Sequence, residues 1–178
     1  MKLNKNILTA ALFTVGGFAT VSANAAVETS TFGVETIIDA SCTIDATSAN
    51  INFSTIAAGT ELTDTTVMNK ESSAGISVMC SKAAPYTINL KAASNPEGTT
   101  GEGTMKGELT GNTDTITYQL NSNAAGTAPW GNLETNGVSG TGAGVSTAIS
   151  HLVYATIKST TDIKEDTYKD VITASITY

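Results

Sequence analysis

Apolar residues recur at every second position along most of this chain. Phe32, Val34, Thr36, Ile38 and Ala40 alternate with Gly33, Glu35 and Asp39, and Ile37 is the one apolar residue on the polar side. A period of two with β-branched and aromatic residues predicts a strand with one buried face. The same pattern predicts a short strand at Asn50–Ile56, with Ile51, Phe53 and Thr55 on one side. It recurs at Ala74–Cys80, Pro85–Ala92, Thr115–Asn121, Ala148–Ile157 and Tyr168–Tyr178, with a weaker strand around Met105 and Leu109. Ser81–Ala84 reads as a hairpin-like return between two of these strands. The threonine-rich stretch 59–69, the glycine-rich stretch Gly137–Gly144 and Pro129-Trp130-Gly131 read as loops or turns. No segment after residue 26 shows a convincing helical period. Short strands separated by turn residues predict an all-β sandwich in one domain.

The first 25 residues change the picture of where the chain works. Lys2 and Lys5, the apolar run Ile7–Val21 and Ala23-Asn24-Ala25 read as a cleavable secretory signal, cut after Ala25 or Ala26. The run is too short to span a bilayer comfortably. No second run of that length follows, so the mature protein is expected to be soluble. The organisation read from the sequence is 1–25 signal, 26–41 N-terminal arm and 42–178 domain, about 150 mature residues and enough for a real core.

Charge narrows the partners. The chain has 16 acidic residues and no arginine, and removal of Lys2 and Lys5 takes the formal charge from −7 to −9. That argues against nucleic-acid binding, where cationic contacts to phosphate supply the affinity. In an exported protein the two cysteines, Cys42 and Cys80, read as a disulfide. No C-x-x-C pair and a single histidine leave little for a metal or redox site.

Candidate catalytic chemistry is thin. Gly140-Thr141-Gly142-Ala143-Gly144 lacks the lysine and helix of a phosphate loop and reads as a loop. His151 is the only histidine, and a general base needs a nucleophile and an orienting group beside it. Asp162, Asp166 and Asp170 recur every four residues but do not match a calcium loop, and Glu97 and Glu102 have no diagnostic spacing. The expectation is no enzyme, no cofactor and no metal. An exported hydrolase built around His151 would need an activity lost on His151→Ala.

Mechanistic content lies in the two ends of the mature chain. The arm has an alternating apolar face and no fixed partner. The final strand alternates Ile172, Ala174, Ile176 and Tyr178 with Thr173, Ser175 and Thr177, then the chain stops. An immunoglobulin-type sandwich normally has one more strand after such an edge. Without it, core side chains lie open beside a strand edge that can accept an added strand. Pattern alone leaves two partners for the arm, its own domain or a neighbour's.

Several short runs together resemble the spore coat protein U domain family, which includes pilins of archaic chaperone–usher pili of the Csu type. They are Cys42-Thr43-Ile44, Ile51-Asn52-Phe53, Ile76–Cys80, Pro85–Leu90, Ile116–Leu120 and Tyr168-Lys169-Asp170. Where the family usually has glycine after the phenylalanine this chain has Ser54, and Glu165-Asp166-Thr167 replaces a glycine often found before the tyrosine-x-aspartate motif. The resemblance implies an incomplete immunoglobulin-like β-sandwich completed by an N-terminal donor strand from a neighbouring subunit. It implies Phe32, Val34, Thr36 and Ile38 as the donor residues, and a groove lined by Ile172, Ala174, Ile176 and Tyr178. It also implies a periplasmic chaperone, an outer-membrane usher, other pilin subunits as partners, and a surface pilus serving adhesion or biofilm formation. The alternative is a secreted, self-contained β-sandwich such as a coat component or carbohydrate-binding module. An adhesin tip would usually carry a second, receptor-binding domain, for which this chain has no room.

Overall fold

The computed structural model describes residues 26–64, 68–133 and 135–178, so the signal segment lies outside the described residues. The chain divides into two units, 1–37 and 38–178. In the first, residues 26–37 form no strand, turn or bend and every one is exposed. The second unit carries eleven strands among the described residues, all antiparallel to their neighbours.

Three sheets share this unit. The first joins β1 (Cys42–Asp45), β3 (Ile76–Cys80) and β8 (Ile149–His151), in the order β1-β3-β8. The second has the order β10-β5-β6-β9-β2, from β2 (Asn69–Glu71), β5 (Glu102–Gly107), β6 (Thr115–Asn121), β9 (Tyr154–Ile157) and β10 (Tyr168–Lys169). The third has β4 (Pro85–Ala92) between β7 (Val138–Thr141) and β11 (Ile172–Thr177). Their inward faces meet in one core. Ile76, Val78 and Cys80 come from β3, Tyr86, Ile88, Leu90 and Ala92 from β4, and Tyr118 and Leu120 from β6. Period-two burial along β3 and β4 is what their sequences dictate. The architecture is an immunoglobulin-like, all-β sandwich.

Cys42 and Cys80 face each other in the β1–β3 register, 4.1 Å apart at Cα, and are bonded. Closing a loop of that length stabilises by on the order of 4 kcal/mol in the chain-entropy picture. Trp130 is 1% exposed. Its indole Nε1 donates to the Ile88 carbonyl at 2.8 Å, so this side chain is core rather than surface.

Six sequence expectations need correction. Ser81–Ala84 is not a hairpin, because β3 and β4 belong to different sheets and the link carries the chain between them. Gly137–Gly144 is not all loop, because 138–141 is β7, paired with β4. Its Gly140 lies opposite Tyr86, and a Cβ there would collide with the tyrosine ring. Gly103 stands in the same relation to Tyr118 across β5–β6. Each tyrosine folds over a cross-strand glycine, so these glycines serve packing inside strands. The single strands expected at 148–157 and 168–178 are each two, since the chain leaves one sheet for another after His151 and after Lys169. Finally, 50–56 forms no strand and Leu109 lies beyond β5, 52% exposed.

Candidate functional site: a groove beside the final strand

Two segments of the second unit run beside a continuous groove. One wall is the stretch after β1, with Ala46, Ala49, Ile51 and Phe53 half-buried along it. The other runs from Tyr168 through Asp170 to Ile172 and Ala174. Beneath them lie core side chains, among them Ile76, Leu90 and Leu120. A second length of the groove continues past Ile56, Ile116, Ile157 and Ile163, and Ile51, Phe53, Met105 and Tyr168 border both lengths.

Both walls have unused backbone. β11 pairs with β4 on one side and with no other strand among the described residues. Residues 51–56 alternate burial as a strand does over Ile51-Asn52-Phe53, yet belong to no sheet. The alternation is there, but no strand pairs with it among the described residues, and the backbone leaves the extended region at Ser54. Unpaired backbone flanking an apolar trough is the geometry that accepts an added strand.

The first wall is kinked at Ser54, whose φ is +62°. Asn52 steadies the kink, its Oδ1 accepting the Ser54 amide at 2.7 Å. A left-handed conformation costs a side-chain-bearing residue about 1–2 kcal/mol, part of which glycine returns through its freer unfolded chain. Ser54→Gly is therefore expected to stabilise the domain by about 0.5–1 kcal/mol, read as a rise in the midpoint of thermal unfolding. A fall in that midpoint would show that the serine side chain supports the wall.

The second wall is held at its sheet switch by Asp170. Its Oδ1 accepts the Val171 amide at 2.8 Å and the Ser94 amide at 3.2 Å. Its Oδ2 accepts the Tyr118 hydroxyl at 2.7 Å and the Ser94 hydroxyl. Burial, then the hydrogen bond and charge of Asp170, push the Tyr118 phenol far above its ordinary pKa, so it stays a donor at any physiological pH. Ser94 Oγ also accepts the Thr104 amide at 2.8 Å, tying the switch to β5.

The residues expected to act are distributed as follows. Phe32, Val34 and Ile38 are 88%, 89% and 87% exposed, and Thr36 is exposed as well. Ile172 and Ala174 line the groove. Ile176 is half-buried against the core further along β11, and Tyr178 lies past the last paired residue, 59% exposed. Sequence reasoning missed Met105, Tyr118 and the 46–53 wall as groove residues. The alternation of Ile51 and Phe53 was the one signal for that wall.

Two of the remaining candidates, His151 and Asp166, have structural partners. His151 Nε2 is 2.9 Å from the Tyr86 hydroxyl, the rings meet edge to face, and burial lowers its pKa. Asp166 is partly desolvated, which raises its pKa, but bonds from Asn112, Leu109 and Thr167 outweigh this and hold it below the usual carboxylate range. Its Oδ2 accepts the Leu109 amide at 2.9 Å and Asn112 Nδ2 at 2.7 Å, which fastens the loop after β5 to the chain before β10.

The family model for the Spore Coat Protein U domain matches residues 28–175. No curated protein matches. Among solved structures the chain is similar to the crystal structure of the CsuC–CsuE chaperone–tip adhesion subunit pre-assembly complex, from archaic chaperone–usher Csu pili of Acinetobacter baumannii. The TM-score is 0.50 at 18% identity, over 79% of this chain and 40% of that one. This chain thus spans well under two thirds of that chain's length, and at such identity the likeness is one of fold.

Proposed function

The chain belongs to the Spore Coat Protein U domain family, and from that premise we propose that it is a structural pilin subunit of a chaperone–usher surface pilus, polymerising by donor-strand exchange. The observation that carries this reading is one chain with both halves of a joint. It has an apolar groove between 46–56 and 168–174, and an exposed arm with an alternating apolar face. On this reading the arm of one subunit, through Phe32, Val34, Thr36 and Ile38, fills the groove of the next. Burying the three large apolar side chains contributes on the order of 5–9 kcal/mol before entropy and new hydrogen bonds, the scale of a long-lived joint. A periplasmic chaperone would cover the groove before assembly and an outer-membrane usher would exchange it for the next arm. The subunit would pass through the periplasm to a surface fibre that serves adhesion and biofilm formation, without catalysis.

Thermal unfolding of the full mature chain, with and without a peptide of residues 27–40, tests this directly. A groove ligand stabilises by mass action, so saturating peptide should raise the midpoint by about 5 °C or more. A monodisperse monomer whose midpoint ignores the peptide overturns the reading in favour of a self-contained secreted sandwich.

A further inference from the structure

Among the side chains bordering the groove is one thioether, that of Met105. Met105 sits in β5 opposite Ile116, half-buried, and borders both lengths of the groove with Ile51, Phe53 and Tyr168. It packs against both clusters of the core. A strand laid along the groove must pass over it. The hydroxyl of Tyr168, on the same two linings, is already engaged. It donates to the Lys164 carbonyl at 2.7 Å and accepts from Asn112 Nδ2 at 3.2 Å. The other methionines of the mature chain are differently placed. Met68 is 1% exposed, and Met79 alternates with the buried Val78 and Cys80 on the outward side of β3.

We propose that Met105 is an oxidation site whose sulfoxide closes the groove to a donor arm, and which a bound arm protects. The proposal rests on the strand-acceptor reading of the groove. The oxidant is a two-electron peroxide. The thioether sulfur attacks one peroxide oxygen, the S–O bond forms, the O–O bond breaks, and the departing hydroxide takes the proton from the oxygen now on sulfur and leaves as water. Sulfur loses two electrons and the peroxide gains them. The product carries a strong acceptor where a donor arm would bring mostly apolar side chains, Phe32, Val34 and Ile38 against the one hydroxyl of Thr36, so the arm would bury a poorly satisfied S=O group. An occupied groove excludes the peroxide, and an empty one admits it.

The test uses the full mature chain carrying Met79→Leu, so that any change is assigned to the groove. Hydrogen peroxide is added with and without saturating peptide 27–40, and sulfoxide at Met105 is followed by mass spectrometry. Oxidation is expected to slow by about tenfold or more with peptide bound, and the oxidised chain to bind peptide about tenfold more weakly, the effect of burying an unpaired polar group. Met105→Leu, whatever its own affinity for the peptide, should show the same affinity before and after peroxide. Equal oxidation rates with and without bound peptide overturn the proposal. So does unchanged affinity after complete oxidation of Met105, or loss of the fold by circular dichroism on oxidation, which would make the residue a core element rather than a gate. Failure of the unoxidised chain to bind peptide at all overturns the strand-acceptor reading itself.

Discussion

Mature protein carrying Phe32→Asp and Val34→Asp is expected to yield no polymer while still accumulating as chaperone-bound monomer. Both side chains are almost fully exposed, so the substitutions remove no contact within the compact unit at 38–178. Their effect falls on the joint. Each loses about 1.5–3 kcal/mol of apolar burial and brings a carboxylate that would have to be protonated or buried unpaired, at several kcal/mol more. Against a joint worth on the order of 5–9 kcal/mol before entropy, two such changes leave nothing to drive assembly. The measurement is electron microscopy of fibres, with the chaperone complex followed by gel filtration. Normal fibres from the doubly substituted chain would sink the donor-strand account.

Asp170→Asn is expected to destabilise the domain by about 2–4 kcal/mol, lowering its thermal midpoint by roughly 5–15 °C. The carboxylate accepts from four donors, two on each oxygen. An amide keeps one of those oxygens and turns an NH2 group toward two hydroxyls, of which Ser94 Oγ is already engaged by the Thr104 amide. Tyr118→Phe removes one of the four donors and should cost about 1 kcal/mol. The two changes share a hydrogen bond, so the double variant should lose less than their sum. Because Asp170 borders the groove at the sheet switch, its loss should also weaken binding of peptide 27–40. An Asp170→Asn protein within 0.5 kcal/mol of wild type would show that the wall holds without this carboxylate.

Much of the fold was legible from alternation. The strands β3, β4, β6 and β11 lie inside the stretches where β-branched and aromatic residues recur at every second position. What alternation cannot see is a change of sheet. Ile149, His151, Val153, Ala155 and Ile157 keep one parity through the break between β8 and β9, because both sheets turn the same side of the chain inward. The 168–178 stretch behaves likewise, so two pairs of strands read as two single ones. β7 was hidden for the opposite reason. Its inward contribution at Gly140 is an absence, filled by the ring of Tyr86 from the neighbouring strand, and an absent side chain gives no periodic signal. The groove was half legible. Its β11 wall follows from the final alternating strand, while Tyr118 and Met105 reach it only through a pairing order that no local pattern contains.

The bond between Cys42 and Cys80 acquires a mechanical meaning on the fibre reading. Cys42 is the first residue of β1, where the arm ends and the sheet begins. Tension drawn along an arm therefore reaches a covalent link to β3 before it can strip β1 from its neighbour by breaking hydrogen bonds. The cysteines are 38 positions apart, and the groove wall at 46–56 lies wholly between them. On that reading, tension entering along the chain's own arm can therefore cross to β3 without running through the backbone of the wall that seats the next arm.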